Sequence, residues 1–158
     1  MDYQLVMPIR LLVAKDRDAS LQTRLALLQD HSQERRAEEQ NWAQTDRQVV
    51  RPIRERLKRS DWTSGDIQRC VGLIRTNATQ TLAKNPWPAR EDGMEEEEED
   101  RATVRVLYPS MSLMSHSCMP NTRTIHRSSY ILEARVMRPV GKGEEFAISY
   151  TGTRGVGG

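Results

Sequence analysis

The ten residues from 91 to 100, Glu-Asp-Gly-Met-Glu-Glu-Glu-Glu-Glu-Asp, carry eight acids and no base. No interior can hold such a run, because each unpaired carboxylate taken out of water costs several kcal/mol. The run is expected at a surface, and it separates a helical stretch from a stretch of short β segments in the 158-residue chain. Just before it, Asn85-Pro86-Trp87-Pro88 forbids a regular element, since two prolines remove donors and push their predecessors out of the helical region. Residues 84–103 are therefore expected to be a disordered acidic loop, with a tether for a basic partner as the alternative.

The charge on either side has the opposite sign. Residues 1–90 carry a net +5 and residues 101–158 again +5, around a stretch of −8, so the overall +2 conceals three blocks. Twenty of the 24 basic residues are arginine, whose planar fork suits carboxylates and phosphates. Glu34, Glu38, Glu39, Asp46 and Glu55 are interleaved with the arginines, which describes solvated helix faces and argues against direct nucleic-acid binding. No apolar run reaches the roughly 18 residues a membrane-spanning helix needs, and Asp2 and Pro8 make a poor signal peptide. An intracellular protein is expected, in the nucleus, the cytoplasm or both, with no membrane partner. Two cysteines, Cys70 and Cys118, cannot form a disulfide framework or close a zinc site alone.

Residues 1–83 read as helical. Leu21, Leu25 and Leu28 recur at helical spacing, with Ser20 as N-cap and Leu27 widening the stripe. Trp42 anchors a polar stretch, and Val49 or Val50, Ile53 and Leu57 give a second apolar face that starts near Pro52. Thr63 and Asp66 have capping-box spacing before a face of Ile67, Cys70, Val71 and Ile74, which makes Cys70 a small buried apolar residue. Residues 104–151 read as short strands, with candidates around 103–106, 122–125, 130–134 and 146–150 and a turn at 138–144. Residues 152–158 are a glycine-rich flexible tail. The fold class expected is α+β.

Chemistry concentrates in residues 107–121, where one histidine, one cysteine and several hydroxyls surround a Pro120-Asn121 turn. A closed zinc tetrahedron within the chain lacks ligands. A Cys-His nucleophile pair is disfavoured, because positions two apart on an extended segment point to opposite faces. On pattern alone, a polar turn holding an internally hydrogen-bonded histidine is favoured.

Ser112-Leu113-Met114-Ser115-His116-Ser117-Cys118-Met119-Pro120-Asn121, followed by Gly143-Glu144-Glu145-Phe146-Ala147-Ile148-Ser149-Tyr150, resembles the two signature boxes of the SET domain, the protein-lysine methyltransferase fold. Leu107-Tyr108-Pro109-Ser110 and the stretch from Cys70 to Ala78 are similar to the SET and MYND domain (SMYD) proteins, especially their divergent arthropod branch. The resemblance implies a helical SET-inserted region followed by the C-terminal, pseudoknotted β part of an incomplete SET domain. The opening SET strands, the MYND finger and the cysteine-rich post-SET segment would lie outside these residues. It implies S-adenosylmethionine as cofactor, contacted by Asn77, Ser112, Leu113, Ser115 and His116, and Tyr150 as the catalytic phenol. Cys118 would ligate zinc only in a full-length form that supplies the other ligands, and otherwise reads as a buried free thiol. Ser115 replaces the family asparagine. The implied substrate is a lysine of a histone or another protein, with further protein partners meeting the helical region. The alternative is a non-catalytic SET-derived interaction module in transcriptional or chromatin regulation.

Overall fold

Apolar side chains spaced three and four apart bring the first half of the chain together as helices. The computed structural model describes residues 3–59, 61–84, 101–127 and 130–150. The elements are α1 (Tyr3–Arg17), α2 (Ala19–Ala26), α3 (Ser32–Ala37), α4 (Glu39–Thr45), a π turn (Asp46–Val50), α5 (Arg51–Leu57) and α6 (Ser64–Asn77). There follow β1 (Ala78–Lys84), β2 (Arg101–Leu107), a 3₁₀ turn (Met111–Leu113), β3 (Ser115–His116), β4 (Thr122–His126), β5 (Leu132–Val136) and β6 (Ala147–Ile148). Mixed helix and small sheets agree with the α+β class. Two units are distinguished, Met1–Ala78 and Thr79–Gly158.

In the helical unit, α1 and α6 pack through Leu5, Leu12, Ile67, Cys70 and Val71, and the π turn and α5 add Val49, Val50 and Ile53. Each such side chain contributes about 1.5–3 kcal/mol by leaving water. The π turn precedes Pro52, which has no N–H to continue the regular ladder. Thr63 and Asp66 form the expected reciprocal capping box of α6. Buried Cys70 has its thiol pushed up to about 11 by desolvation. The nearly fully buried Gln68 takes Arg35 at its carbonyl (2.8 Å) and at Oε1 (3.0 Å). Arg35 and Arg36 both lie over the Trp42 ring, the anchor of that polar stretch. Gly72 is required where it stands, because a Cβ there would meet the Asp30 carbonyl oxygen at 2.3 Å.

Several expectations change. The N-cap of α2 is Asp18 rather than Ser20: its carboxylate accepts from the Ser20 and Leu21 amides (2.8 and 3.1 Å). Leu27 follows the last residue of α2 and is 65% exposed, so it does not widen the stripe. Leu57 is also exposed, because α5 stops there and Lys58 turns into the left-handed region (φ 50°). The helical stretch ends at Asn77 rather than 83, and β-branched Thr79 and Thr81 alternate along β1. Lys84 and residues 101–103 are strand rather than loop, while 85–100 and 151–158 lie outside the described residues.

In the C-terminal unit, β1 pairs with β2, β4 with β5 and β3 with β6, as three two-stranded sheets among the described residues. The β4/β5 hairpin is antiparallel, with Thr124 opposite Ala134. Its second strand starts at Leu132, later than the 130–134 expected, since Tyr130 adopts a left-handed conformation (φ 63°). The β3/β6 pair is parallel, with Ser115 opposite Ala147 and His116 opposite Ile148. Beyond the pair the ladder continues, the Ser117 amide donating to the Ile148 carbonyl at 2.9 Å. Among the described residues no helix is long and apolar enough to cross a membrane.

Candidate functional site

Asn121 holds the two sequence boxes together. It is 3% exposed and uses both ends of its amide. Its Nδ2 donates to the Glu145 carbonyl (2.8 Å) and the Glu144 carboxylate (3.2 Å), and its Oδ1 accepts from the Ala147 amide (2.9 Å) and the Thr122 hydroxyl (3.1 Å). These bonds place β6 beside β3. Arg138 and the Gly141 amide also bind Glu144, and with Asn121 they hold its carboxyl down at about 2. Gly143 closes the turn at φ +85°, where a side chain would be strained.

With β6 placed, Tyr150 meets His116. The Tyr150 amide donates to His116 Nδ1 at 3.0 Å, and the two ring centroids are 5.3 Å apart. Because Nδ1 accepts, the neutral imidazole carries its proton on Nε2, which stands 3.5 Å from Cys118 Sγ. The Tyr150 phenol donates to the Met114 carbonyl at 2.6 Å. The residue is 64% exposed, and an oxygen that donates its one proton keeps lone pairs able to accept. The Ser115 hydroxyl donates to the Glu145 carboxylate, and the Ser112 hydroxyl to the Tyr108 carbonyl (3.0 Å). Leu113 presents an exposed apolar side chain beside them.

Ser112, Leu113, Ser115, His116, Cys118 and Tyr150 thus fall within one short region of the C-terminal unit. Asn77 belongs to the helical unit, where its amide ties the end of α6 to the connection between α2 and α3 by donating to Gln29 O (2.8 Å), and to its own preceding turn by donating to Leu73 O (3.0 Å). Two readings of Cys118 are corrected. The thiol is exposed rather than buried, and it reaches the imidazole instead of facing away. The extended segment ends at His116, and the bend at Cys118 and Met119 returns the side chain to the imidazole. Among the described residues no three His, Cys, Asp or Glu side chains gather to hold a metal ion. Sequence reasoning assigned no role to Asn121, Glu144 or Glu145. The Pro-Asn and Gly-Glu-Glu signals were present, but bonds across 23 to 26 positions are invisible in either alone.

Against models of known families, residues 21–151 match the SET domain. Among curated proteins, the chain is 30% identical over 83 residues to the SET domain-containing protein SmydA-8, isoform A, of Drosophila melanogaster, covering 52% of this chain and 15% of that protein. It is 46% identical over 44 residues to the histone-lysine N-methyltransferase SMYD3 of Mus musculus, covering 28% of this chain and 10% of that protein. The chain thus spans only a small part of the length of these relatives. No solved structure matches. With the family match covering most of the chain and both relatives of SMYD type, the chain belongs to the SET-domain family.

Proposed function

We propose that these residues form part of an S-adenosylmethionine-dependent protein-lysine methyltransferase of SMYD type, of the arthropod branch. The observation that supports this most is Tyr150, an exposed residue whose phenol is anchored on the Met114 carbonyl and whose ring lies beside His116. The parallel β3/β6 pair supports the reading of the C-terminal strand as the pseudoknotted strand of a SET fold.

The residues suit a cofactor with one apolar and one polar end. Leu113 offers apolar contact, and Ser115 keeps acceptor lone pairs after donating to Glu145. Ser112 and His116 complete the proposed contact set within the C-terminal unit. When bound, S-adenosylmethionine supplies a methyl group on a cationic sulfur. The Tyr150 oxygen would offer a fixed dipole to that methyl and an acceptor to an N–H of a neutral lysine amine, so that nitrogen, carbon and sulfur could be held in line. Met114 fixes the phenol through its carbonyl, and His116 fixes the backbone of Tyr150, so that alignment exists before substrate arrives. The protein substrate, its lysine, zinc ligation by Cys118 in a longer form, and residence in nucleus or cytoplasm belong to the same proposal.

A second reading, a non-catalytic interaction module, draws on Ser115. Its hydroxyl stands where the family has an amide and is already engaged by Glu145. Thermal unfolding separates the two readings. At a hundredfold excess over its dissociation constant, S-adenosylmethionine should stabilise the folded chain by about 2.7 kcal/mol. Tyr150→Phe should leave that shift in place and abolish methyl transfer by the whole protein. Absence of any shift, regained in Ser115→Asn, favours the module.

A further inference from the structure

We infer that the helical unit carries a binding cleft for a short acidic peptide, separate from the methyl-transfer site. The cleft lies between the π turn with α5 and the first residue of α6, with a volume of about 640 Å³. It is a groove open to solvent, lined almost wholly by charged side chains with Val50 the one apolar lining residue, which suits a polar ligand. Four cations line it, Arg51, Arg54, Lys58 and Arg59, against two acids, Asp46 and Glu55. They are not equally available. Arg51 is clipped by Asp46 at 2.9 Å, and Arg59 is bound by Asp16 at 2.9 Å and by Asp61 while lying over Trp62. Arg54, by contrast, has its guanidinium on the Ser64 hydroxyl (3.0 Å) and forms no ion pair among the described residues. Lys58 forms no ion pair among them either.

Arg54, in the last turn of α5, and Lys58, at its C-cap, both line this cleft. The left-handed backbone of Lys58 (φ 50°) turns the chain out of the helix there, at a cost an unbranched non-glycine residue bears only where its surroundings enforce it. Ser64 keeps the Arg54 guanidinium in place, so one face of the fork is ordered before a ligand arrives. Two neighbouring carboxylates, one on the guanidinium fork and one on the ammonium, match this pair. Asp46 and Glu55 argue for a short peptide rather than nucleic acid. A phosphate backbone carries a charge every few ångströms and would be repelled by both acids, whereas a peptide places its carboxylates selectively.

The test uses the full chain and a fluorescent octaglutamate peptide at low ionic strength, with an octaglutamine peptide and a short single-stranded DNA as comparison probes. Octaglutamate should bind and octaglutamine should not. The double variant Arg54→Gln, Lys58→Gln should weaken octaglutamate binding by about tenfold, or about 1.4 kcal/mol. Arg123→Gln with Lys142→Gln, an equal charge loss in the other unit, should change it by less than about twofold. Both pairs are exposed, and thermal unfolding confirms that the variants fold. Equal weakening by the two pairs, no binding of octaglutamate, or DNA binding at least as tight with the same dependence on Arg54 and Lys58 would each overturn the proposal. S-adenosylmethionine binding should be unaffected by the Arg54, Lys58 variant, so failure of the cleft and failure of the methyl-transfer reading are distinguishable.

Discussion

The two units are held together by different physics. In the helical unit the buried set is apolar, from Leu5 and Leu12 through Val50, Ile53 and Ile67 to Ile74, and a few polar groups such as Gln68 are satisfied at its edge. In the C-terminal unit Ile148 is the one buried apolar side chain among the described residues, and Asn121 and Thr122 stand beside it. Leu113, Met119, Ile131, Met137 and Phe146 are all substantially exposed there. Hydrophobic burial, proportional to area, stabilises the first unit, and a directed hydrogen-bond network organises the second. A hydrogen-bonded hub fixes the geometry of the segments it joins, here β3 and β6.

The difference can be broken from either side. Ile67→Ala should cost the most, about 3–4 kcal/mol, because a fully buried side chain leaves a cavity among α1, α6 and the π turn. Chemical denaturation followed by helical circular dichroism reads this. Asn121→Ala should cost about 2–3 kcal/mol by leaving the buried partners of its amide unsatisfied. Hydrogen exchange should locate that loss at Ala147 and Ser117, with the α6 amides unmoved. If α6 amides were equally affected, the contrast between the units would fail.

Thr63→Ala removes one half of the capping box and should cost about 1 kcal/mol, seen as earlier fraying of α6. The smallest effect is electrostatic. Glu144 lies below its ordinary 4.5, at about 2, chiefly because of Arg138. Its contribution is therefore complete above the ordinary value and is lost as pH falls from about 4.5 towards about 2. Carboxyl titration by NMR should show Glu144 moving back up in Arg138→Gln, and an unchanged Glu144 would exclude Arg138 as the cause.

What is legible in the sequence follows how local the physics is. The α6 capping box is complete within four residues, and its helix starts where Thr63 and Asp66 place it. Asp18 and Ser20 are both capping residues two positions apart, and only the actual hydrogen bonds separate them. The exposure of Leu27 and Leu57 depends on where α2 and α5 stop, which periodicity does not encode. The contact of Cys118 with His116 needs a bend that alternation along a strand does not foresee. The two boxes were recognisable as motifs, yet Asn121, which joins them, had no local signature of burial.

The most direct measurement is amide chemical-shift mapping of the isotope-labelled chain on addition of S-adenosylmethionine. The account predicts shifts at Ser112 to His116 and at Tyr150, with α2 to α5 unmoved and with Leu113→Asp suppressing the response. Shifts confined to the helical unit, or none in a chain whose spectrum shows the β3/β6 pairing, would contradict it.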